Sequence, residues 1–314
     1  MEERIDKQIR KQIEDIQAET KVFNIDITNS KKVIINDAYY VDDKLSVICG
    51  DEQHELVIGD KIKYLRINIR RGWIVDLSMA SNLEYLDLCY VKNDDSNEDD
   101  SLIPHEIKIW PTNLKYLLLG GTNYNKPLDN LPLGLLYLEV PSYFNYPLNN
   151  LPYGLIGLEI NNFSEFTHPL DMLPYSLRWL KFGCYCEFNH SLDNLPLYLE
   201  VLDIKYHHNY DITNMNFPLE LKALIIHTHI VNRLPANLEF LSMCFELHGN
   251  SNKFNQQQLE MVKSLKYLPN FKELHINNEM IGVAELVSKT LKSPKIKKEI
   301  GKINYNITCY KEKN

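Results

Sequence analysis

The side chains best suited to chemistry lie near the middle of the chain, where two cysteines and three histidines fall within a short stretch. Cys184 and Cys186 are separated by one residue, and His190, His207 and His208 follow. Thiolate and imidazole groups bind soft metals such as Zn²⁺, and a thiol beside an imidazole can act as a nucleophile. The Cys-x-Cys spacing is not that of a structural zinc site, so we expect these residues to fill surface or core positions and to hold no metal or cofactor.

Carboxylates are the second group of residues that could do chemistry. Residues 92–106 include Lys-Asn-Asp-Asp-Ser-Asn-Glu-Asp-Asp but lack the Gly and final Glu of a calcium loop, which favours a solvated loop insertion. Glu139 and Glu159 recur at one repeat's distance, but a solvated face shifts carboxylate pKa values too little for acid–base catalysis. No phosphate-binding Gly-rich loop or metalloprotease His pair is present. We therefore expect no enzyme activity.

A repeated phrase positions all of these residues. It is clearest in Phe144-Asn-Tyr-Pro-Leu-Asn-Asn-Leu-Pro152 and Phe188-Asn-His-Ser-Leu-Asp-Asn-Leu-Pro196, and each copy continues into Leu-x-x-Leu-x-apolar. The prolines at 111, 132, 152, 174, 196 and 218 are 20 to 22 residues apart. This period is typical of leucine-rich-type solenoids. The sequence predicts a repeat solenoid with a parallel β-sheet of about ten rungs.

The Leu-x-x-Leu-x-apolar core makes the rungs countable. The second Leu and the final apolar residue are two apart and so share one face of a strand, which faces the core. The predicted rungs begin at Ile62, Leu83, Leu114, Leu135, Leu155, Leu177, Leu199, Leu221, Leu238 and Phe271.

The other half of each repeat is too short and too rich in Pro for a long helix, so we expect turns and extended or 3₁₀ backbone there. Its Phe or Tyr and its Leu should fill the convex side of the core. The Asn residues at 125, 145 and 189 should hydrogen-bond along the stack and satisfy the turn backbone.

The phrase Phe-Asn-x-Pro-Leu-x-x-Leu-Pro-x-x-Leu-x-x-Leu resembles the FNIP repeat, a leucine-rich-repeat-like repeat of amoebae and of giant DNA viruses that infect them. The resemblance covers Tyr124 to about Met243 well and Ile62 to Gly120 weakly, with departures at Thr167 and Asp211. It implies an interaction protein. Some family members resemble adaptors with an F-box ahead of the repeats, but no such Leu-Pro-x-Glu segment occurs in the first 60 residues.

The outward positions of the strands are the candidate site. The residue before the second Leu is aromatic in six of nine rungs, and the residue between the two core positions is often acidic. Aromatic residues beside carboxylates on a concave surface are typical of protein interfaces, although stacked Tyr side chains can also simply stabilise a sheet. The predicted partner-binding residues are Tyr64, Tyr85, Tyr116, Tyr137, Trp179, Phe240, Asp87, Glu139, Glu159, Lys181 and Asp203.

The two ends of the chain differ from the repeats. Residues 1–20 place Ile5, Ile9, Ile13 and Ile16 at helical spacing, which predicts an amphipathic helix that either caps the solenoid or binds a partner. Residues 21–60 read as a strand-rich cap, 61–245 as the repeats and 246–314 as an α+β C-terminal cap. Within the last, helical spacing covers 256–268 and 283–291, and 300–310 alternates like an edge strand.

Composition excludes several classes of protein. The chain has 314 residues, 34 basic and 42 acidic side chains and a net charge of −8, which disfavours nucleic-acid binding. No apolar run is long enough to span a bilayer. The N-terminus lacks the apolar core of a secretion signal, and six scattered cysteines suit a reducing compartment, so we expect an intracellular, cytoplasmic protein.

These features together favour a non-catalytic scaffold that binds a protein partner, with a basic segment in the partner opposite the acidic column. A substrate-recruiting adaptor of a ubiquitin-ligase-type complex and an enzyme with a site in the caps are the alternatives; the oligomeric state stays open. Replacing all three of Tyr116, Tyr137 and Trp179 with Ala should abolish partner capture and leave thermal unfolding nearly unchanged.

Overall fold

Short parallel strands make up most of the computed structural model. It describes residues 22–24, 32–35, 44–48, 55–69, 74–90, 106–107, 109–122, 124–204, 211–227, 231–243 and 256–276. The strands are β1 (Val22–Asn24), β2 (Lys32–Ile35), β3 (Lys44–Ile48), β4 (Glu55–Ile58), β5 (Tyr64–Ile69), β6 (Ile74–Asp76), β7 (Tyr85–Tyr90), β8 (Glu106–Ile107), β9 (Tyr116–Gly121), β10 (Tyr137–Val140), β11 (Gly157–Ile160), β12 (Trp179–Phe182), β13 (Val201–Asp203), β14 (Ala223–Ile226), β15 (Phe240–Met243) and β16 (Glu273–Ile276).

The strands form two sheets in which every pairing is parallel. The main sheet has twelve strands in the order β1-β3-β5-β7-β9 and then β10 to β16 in succession, and the second sheet is β2-β4-β6-β8. The chain therefore winds between the two sheets up to β8. From β9 onward all the strands that the structure describes belong to the main sheet. This is the predicted repeat solenoid.

All ten predicted rungs are confirmed, because a main-sheet strand follows each predicted start. The strands pair in one register, so that Leu138 lies beside Leu117 on one side and Leu158 on the other. Two further strands, β1 and β3, extend the sheet beyond the first predicted rung. At about 4.8 Å per strand the twelve rungs span roughly 50 Å.

The core consists of the three apolar columns of the Leu-x-x-Leu-x-apolar segment together with the aromatic and Leu side chains of the convex half. The middle column is fully buried from Leu65 to Leu241, and its members include Leu86, Leu117 and Leu180. Since each rung contributes only a few apolar side chains, the core is continuous only when neighbouring rungs stack.

The convex half of the repeat follows the expected chemistry. Its backbone runs as turns and irregular segments from residue 124 to 136 and in the described residues of the corresponding part of the repeats that follow. The rings of Phe144, Phe166 and Phe188 stack inside the solenoid with centroids 6.4 and 6.2 Å apart. Because Pro lacks a backbone donor, this half cannot continue the ladder of the second sheet.

The predicted Asn ladder is confirmed for two of its three members. The backbone N–H of Asn145 donates to Asn125 Oδ1 at 3.3 Å, and the backbone N–H of Thr167 donates to Asn145 Oδ1 at 3.1 Å. These bonds run from rung to rung and satisfy backbone that the strands do not reach.

Helix α1 (Gln256–Ser264) and the 3₁₀ turn Leu265–Tyr267 agree with the helical spacing of residues 256–268. Met261 and Val262 are buried, and the Val231 amide lies 3.4 Å from Met261 Sδ. The helix thus packs against the end of the array, before β16 adds to the main sheet. The predictions for 1–20, 92–105, 283–291 and 300–310 lie outside the described residues.

Candidate functional site

The face of the main sheet opposite the core is the outward face, and the structure brings the predicted site residues together there. Tyr64, Tyr85, Tyr116 and Tyr137 pair directly from strand to strand, and Gly157, Trp179, Val201, Ala223 and Phe240 continue the same column. A second column beside it runs from Arg66 through Asp87, Leu118, Glu139, Glu159, Lys181 and Asp203. The sequence pattern had placed both columns correctly.

The expected exposure of the aromatic column is wrong. Tyr85, Tyr137, Trp179 and Phe240 are buried, with Trp179 only 2% exposed, while Tyr64 and Tyr116 are half-buried. Together with Leu118, Val201, Ala223 and Ile225 these four form the outward cluster, an apolar cluster separate from the core. Because Tyr137 and Trp179 are buried, we expect that replacing them together with Tyr116 lowers the stability of the fold, contrary to the expectation from the sequence.

Ring packing along the column covers part of each side chain. The rings of Tyr137 and Trp179 lean over Gly157 with their centroids 5.8 Å apart, and the rings of Tyr85 and Tyr116 are 6.4 Å apart. A Cβ on Gly157 would lie 2.8 Å from Tyr137 Cδ2. Strands are only about 4.8 Å apart, so aromatic side chains in one register must contact each other.

The charged column is largely paired within itself. Arg66 Nε lies 3.5 Å from Asp87 Oδ2, and Asp87 is buried. Glu159 accepts a hydrogen bond from the Tyr137 hydroxyl at 2.9 Å and forms an ion pair with Lys181. Glu139, Glu159, Lys181 and Asp203 are half-buried. The column retains more carboxylates than cations.

The thiols near this face are not activated. Burial raises the pKa of the Cys89 thiol to about 12, and the neighbouring Asp87 carboxylate adds to the effect. Cys89 Sγ lies 3.3 Å from Asp87 Oδ1 and 3.6 Å from Arg66 Nη2. Burial also raises the pKa of Cys186. A reactive cysteine needs a lowered pKa, so neither thiol is suited to nucleophilic catalysis.

The Cys–His group does not assemble in the part of the chain that the structure describes. Cys186 is buried, the Cys184 amide donates to Asn162 Oδ1, and His190 Nε2 contacts the Thr167 carbonyl oxygen. His207 and His208 lie outside the described residues. Within those residues no group of three or more His, Cys, Asp or Glu side chains is arranged to hold a metal ion.

Two groups of exposed apolar side chains were not predicted. Phe163 and Tyr185 lie just after the C-terminal ends of strands β11 and β12, and their rings stack with centroids 5.2 Å apart. Both residues have left-handed backbone, with φ of 53° and 55°. Near the N-terminal ends of the strands, the residue after each of the five repeat prolines from 132 to 218 is apolar and exposed: Leu133, Tyr153, Tyr175, Leu197 and Leu219. An apolar residue at the same turn position in five repeats was the available signal, since it has no place in the core pattern.

The geometry defines the chain as a leucine-rich-repeat-like solenoid. No protein-family model and no curated protein matches it. Among solved structures it is similar to CroV588, described as a novel circular LRR protein, at 17% identity and a TM-score of 0.44, over 80% of this chain and 41% of that one. It is also similar to an internalin, InlF, from Listeria monocytogenes, at 17% identity and a TM-score of 0.37, over 72% and 78% of the two chains. This chain thus spans less than half the length of CroV588.

Among the residues that the structure describes, no helix combines the length and the apolar character needed to cross a membrane.

Proposed function

We propose that this chain is a non-catalytic scaffold that binds a protein partner on the outward face of its main sheet. The observation that carries the proposal is the register of that face. From β5 to β14 one column of aromatic and small apolar side chains runs beside one column rich in charge. A regular, extended surface of this kind suits recognition of a partner segment more than it suits a reaction at one point.

The burial of the rings assigns different tasks to the two columns. Tyr137 and Trp179 form the floor of the surface, and the half-buried Glu139, Glu159 and Asp203 stand where a partner can reach them. Lys181 neutralises Glu159 in part. The column holds more carboxylates than cations, which favours a partner segment with Lys or Arg, and the association should weaken as salt rises.

Glu139 lies close to the backbone of β9. A Cβ on Gly120 would overlap Glu139 Oε1, so the carboxylate occupies the space that the glycine leaves open. The carbonyl oxygen of the same glycine accepts a hydrogen bond from Asn161 Nδ2 at 2.6 Å.

Three finer statements belong to the same proposal. The repeats are FNIP repeats, on the strength of the phrase they share. The chain works inside cells: among the described residues Cys89 and Cys186 form no disulfide, which suits a reducing compartment. An adaptor that recruits a substrate is a special case in which residues 1–20 dock a larger complex; deleting them would then remove the complex and keep the ligand.

The test uses the full chain and a display library of random linear peptides. We expect the selected peptides to be rich in Lys and Arg and to bind more weakly to the double variant Glu139→Gln/Asp203→Asn. The matched control is Glu165→Gln/Glu187→Gln, which removes two exposed carboxylates away from the strands. If both double variants lose the same affinity, or if the selected peptides carry no excess of basic residues, the outward face is not the site.

A further inference from the structure

The exposed apolar residues after the repeat prolines form a ridge along the N-terminal edge of the sheet. In each of these repeats a turn closes from the Leu amide to the Pro carbonyl, as from Leu135 to Pro132 at 3.0 Å and from Leu155 to Pro152 at 3.0 Å. The residue after the proline stands at the tip of the turn and cannot reach the core. The proline-turn ridge consists of Leu133, Tyr153, Tyr175, Leu197 and Leu219, one residue for each strand from β10 to β14.

The ridge is widest where its neighbours are also apolar. Leu133 and Tyr153 are 80% and 87% exposed, and Met172 is exposed on an adjacent turn. Leu136 and Ile156 continue the patch toward the sheet. A row of large exposed apolar side chains is unusual on a monomer and marks a candidate interaction site.

The charge beside the ridge is negative on its outer side. Asp129, Asp171 and Asp193 line the outer turns, where Asn150 and Asn194 donate to the first two at 2.9 Å. Hydrogen bonds from the Asn216 amide and the Ser191 hydroxyl lower the pKa of Asp193. These turns lie within about 10 Å of the ridge, because only two residues separate each pair of turns.

On the sheet side of the ridge, two cations that precede the strands, Arg178 and Lys222, share the single carboxylate of Glu200, which leaves one positive charge. Lys222 pairs with Glu200 at 2.8 Å, and Arg178 Nε lies 3.9 Å from the same Glu200 side chain. The Arg178 guanidinium also lies 5.1 Å from the centre of the Tyr198 ring. The three aspartates outnumber this one positive charge, so the net charge of these groups along the ridge is negative, which favours a cationic occupant.

The spacing of the ridge matches an α-helix better than an extended chain. Its side chains recur at about 4.8 Å, whereas apolar residues along one helix face recur at about 5.3 Å and alternate residues of a strand at about 6.7 Å. Over four intervals the mismatch is about 2 Å for a helix and about 8 Å for a strand. Rotamer changes of Leu and Tyr side chains can compensate for the small mismatch of the helix but not for the large mismatch of the strand.

We propose that the proline-turn ridge docks an amphipathic α-helix of a partner protein, with the apolar stripe of the helix on the ridge and its basic residues toward the aspartate turns. The contact would be related to helix-in-groove recognition, in which the apolar face of an amphipathic helix supplies the anchors. Here one apolar residue per helical turn would contact each successive side chain of the ridge. The site is separate from the outward face, so the failure of either proposal leaves the other standing.

The probe is a designed, fluorescently labelled peptide of ~18 residues with Leu on one helical face and Lys and Arg on the other. Binding to the full chain is measured by fluorescence anisotropy. Two peptides of the same composition serve as controls: one alternates Leu with basic residues, as a strand would, and the other has a scrambled order. We expect the helical peptide to bind at least about tenfold more tightly than either control.

Variants of the full chain locate the site. Tyr153→Ser/Tyr175→Ser should reduce affinity for the helical peptide at least about tenfold. Asp129→Asn/Asp171→Asn should reduce it about threefold and weaken its salt dependence. The matched control is Phe163→Ser/Tyr185→Ser, which removes two exposed aromatic side chains at the opposite edge of the sheet and should leave binding unchanged.

Three results would overturn the proposal. Equal binding of the helical and alternating peptides would show that charge alone drives association. Equal loss in the ridge variant and in the opposite-edge control would show that the ridge is not the site. A wild-type dimer in light scattering that the ridge substitutions convert to a monomer would show that the ridge joins two copies of this chain. Because all the substituted side chains are exposed, we expect every variant to fold. Circular dichroism and thermal unfolding would check this.

Discussion

Trp179→Ala tests most directly whether the outward cluster contributes to the stability of the solenoid. The indole is 2% exposed and lies against the Tyr137 ring, beside Val201 on the next strand. Removing a buried aromatic side chain gives up about 150–250 Å² of contact at about 25 cal/mol per Å², or about 4–6 kcal/mol. A compact unfolded chain lowers this value, so we expect a loss of about 4 kcal/mol, within the range of aromatic-to-Ala substitutions in cores.

The assay is urea unfolding followed by far-ultraviolet circular dichroism, which does not depend on the tryptophan that the substitution removes. With a slope of about 3 kcal/mol per M, the midpoint should fall by about 1.3 M. The matched control is Tyr175→Ala, four residues earlier in the same repeat, whose ring is exposed. Its free energy of unfolding should change by less than about 0.5 kcal/mol.

The reasoning fails if the two variants unfold at the same urea concentration. That result would show that the indole is accessible in solution and that the outward column is the exposed anchor row that the sequence pattern indicates. A midpoint shift for Trp179→Ala alone, with an unchanged slope, would confirm that the outward cluster is a structural part of the repeat array.

Three further changes test individual features. Gly157→Ala should destabilise the fold by about 1–3 kcal/mol in urea unfolding, because its Cβ would lie 2.8 Å from the Tyr137 ring; an unchanged midpoint would contradict the ring packing. Phe163→Gly should be more stable than Phe163→Ala by about 1 kcal/mol, because both lose the ring and only Gly adopts a φ of 53° without strain; equal midpoints would rule out strain. Iodoacetamide should alkylate Cys89 at pH 8 on the order of 100-fold more slowly in the folded chain than in urea, as followed by peptide mass spectrometry, because burial raises its pKa to about 12. Since the folded state favours the neutral thiol, Cys89 stabilises the fold below its unfolded pKa near 9, and this contribution declines as the pH rises toward 12.

Much of the fold could be predicted because a solenoid repeats one local solution. The ten predicted rungs, the core columns and the stacked rings of Phe144, Phe166 and Phe188 all follow from a spacing that can be counted along the chain. The Asn ladder followed from the need to satisfy turn backbone. The second sheet could not be predicted in the same way, because β6 and β8 are three and two residues long and carry no periodic signal.

The sequence by itself determined which side chains share a column, because parallel strands in one register place equivalent repeat positions side by side. Only the tertiary structure decided which columns are buried. Tyr137 and Tyr153 are both tyrosines at regular repeat positions, yet the first lies in the outward cluster and the second is 87% exposed. The physical reason is that exposure depends on what packs against a side chain from neighbouring rungs, and repeat spacing states only the direction in which that side chain points.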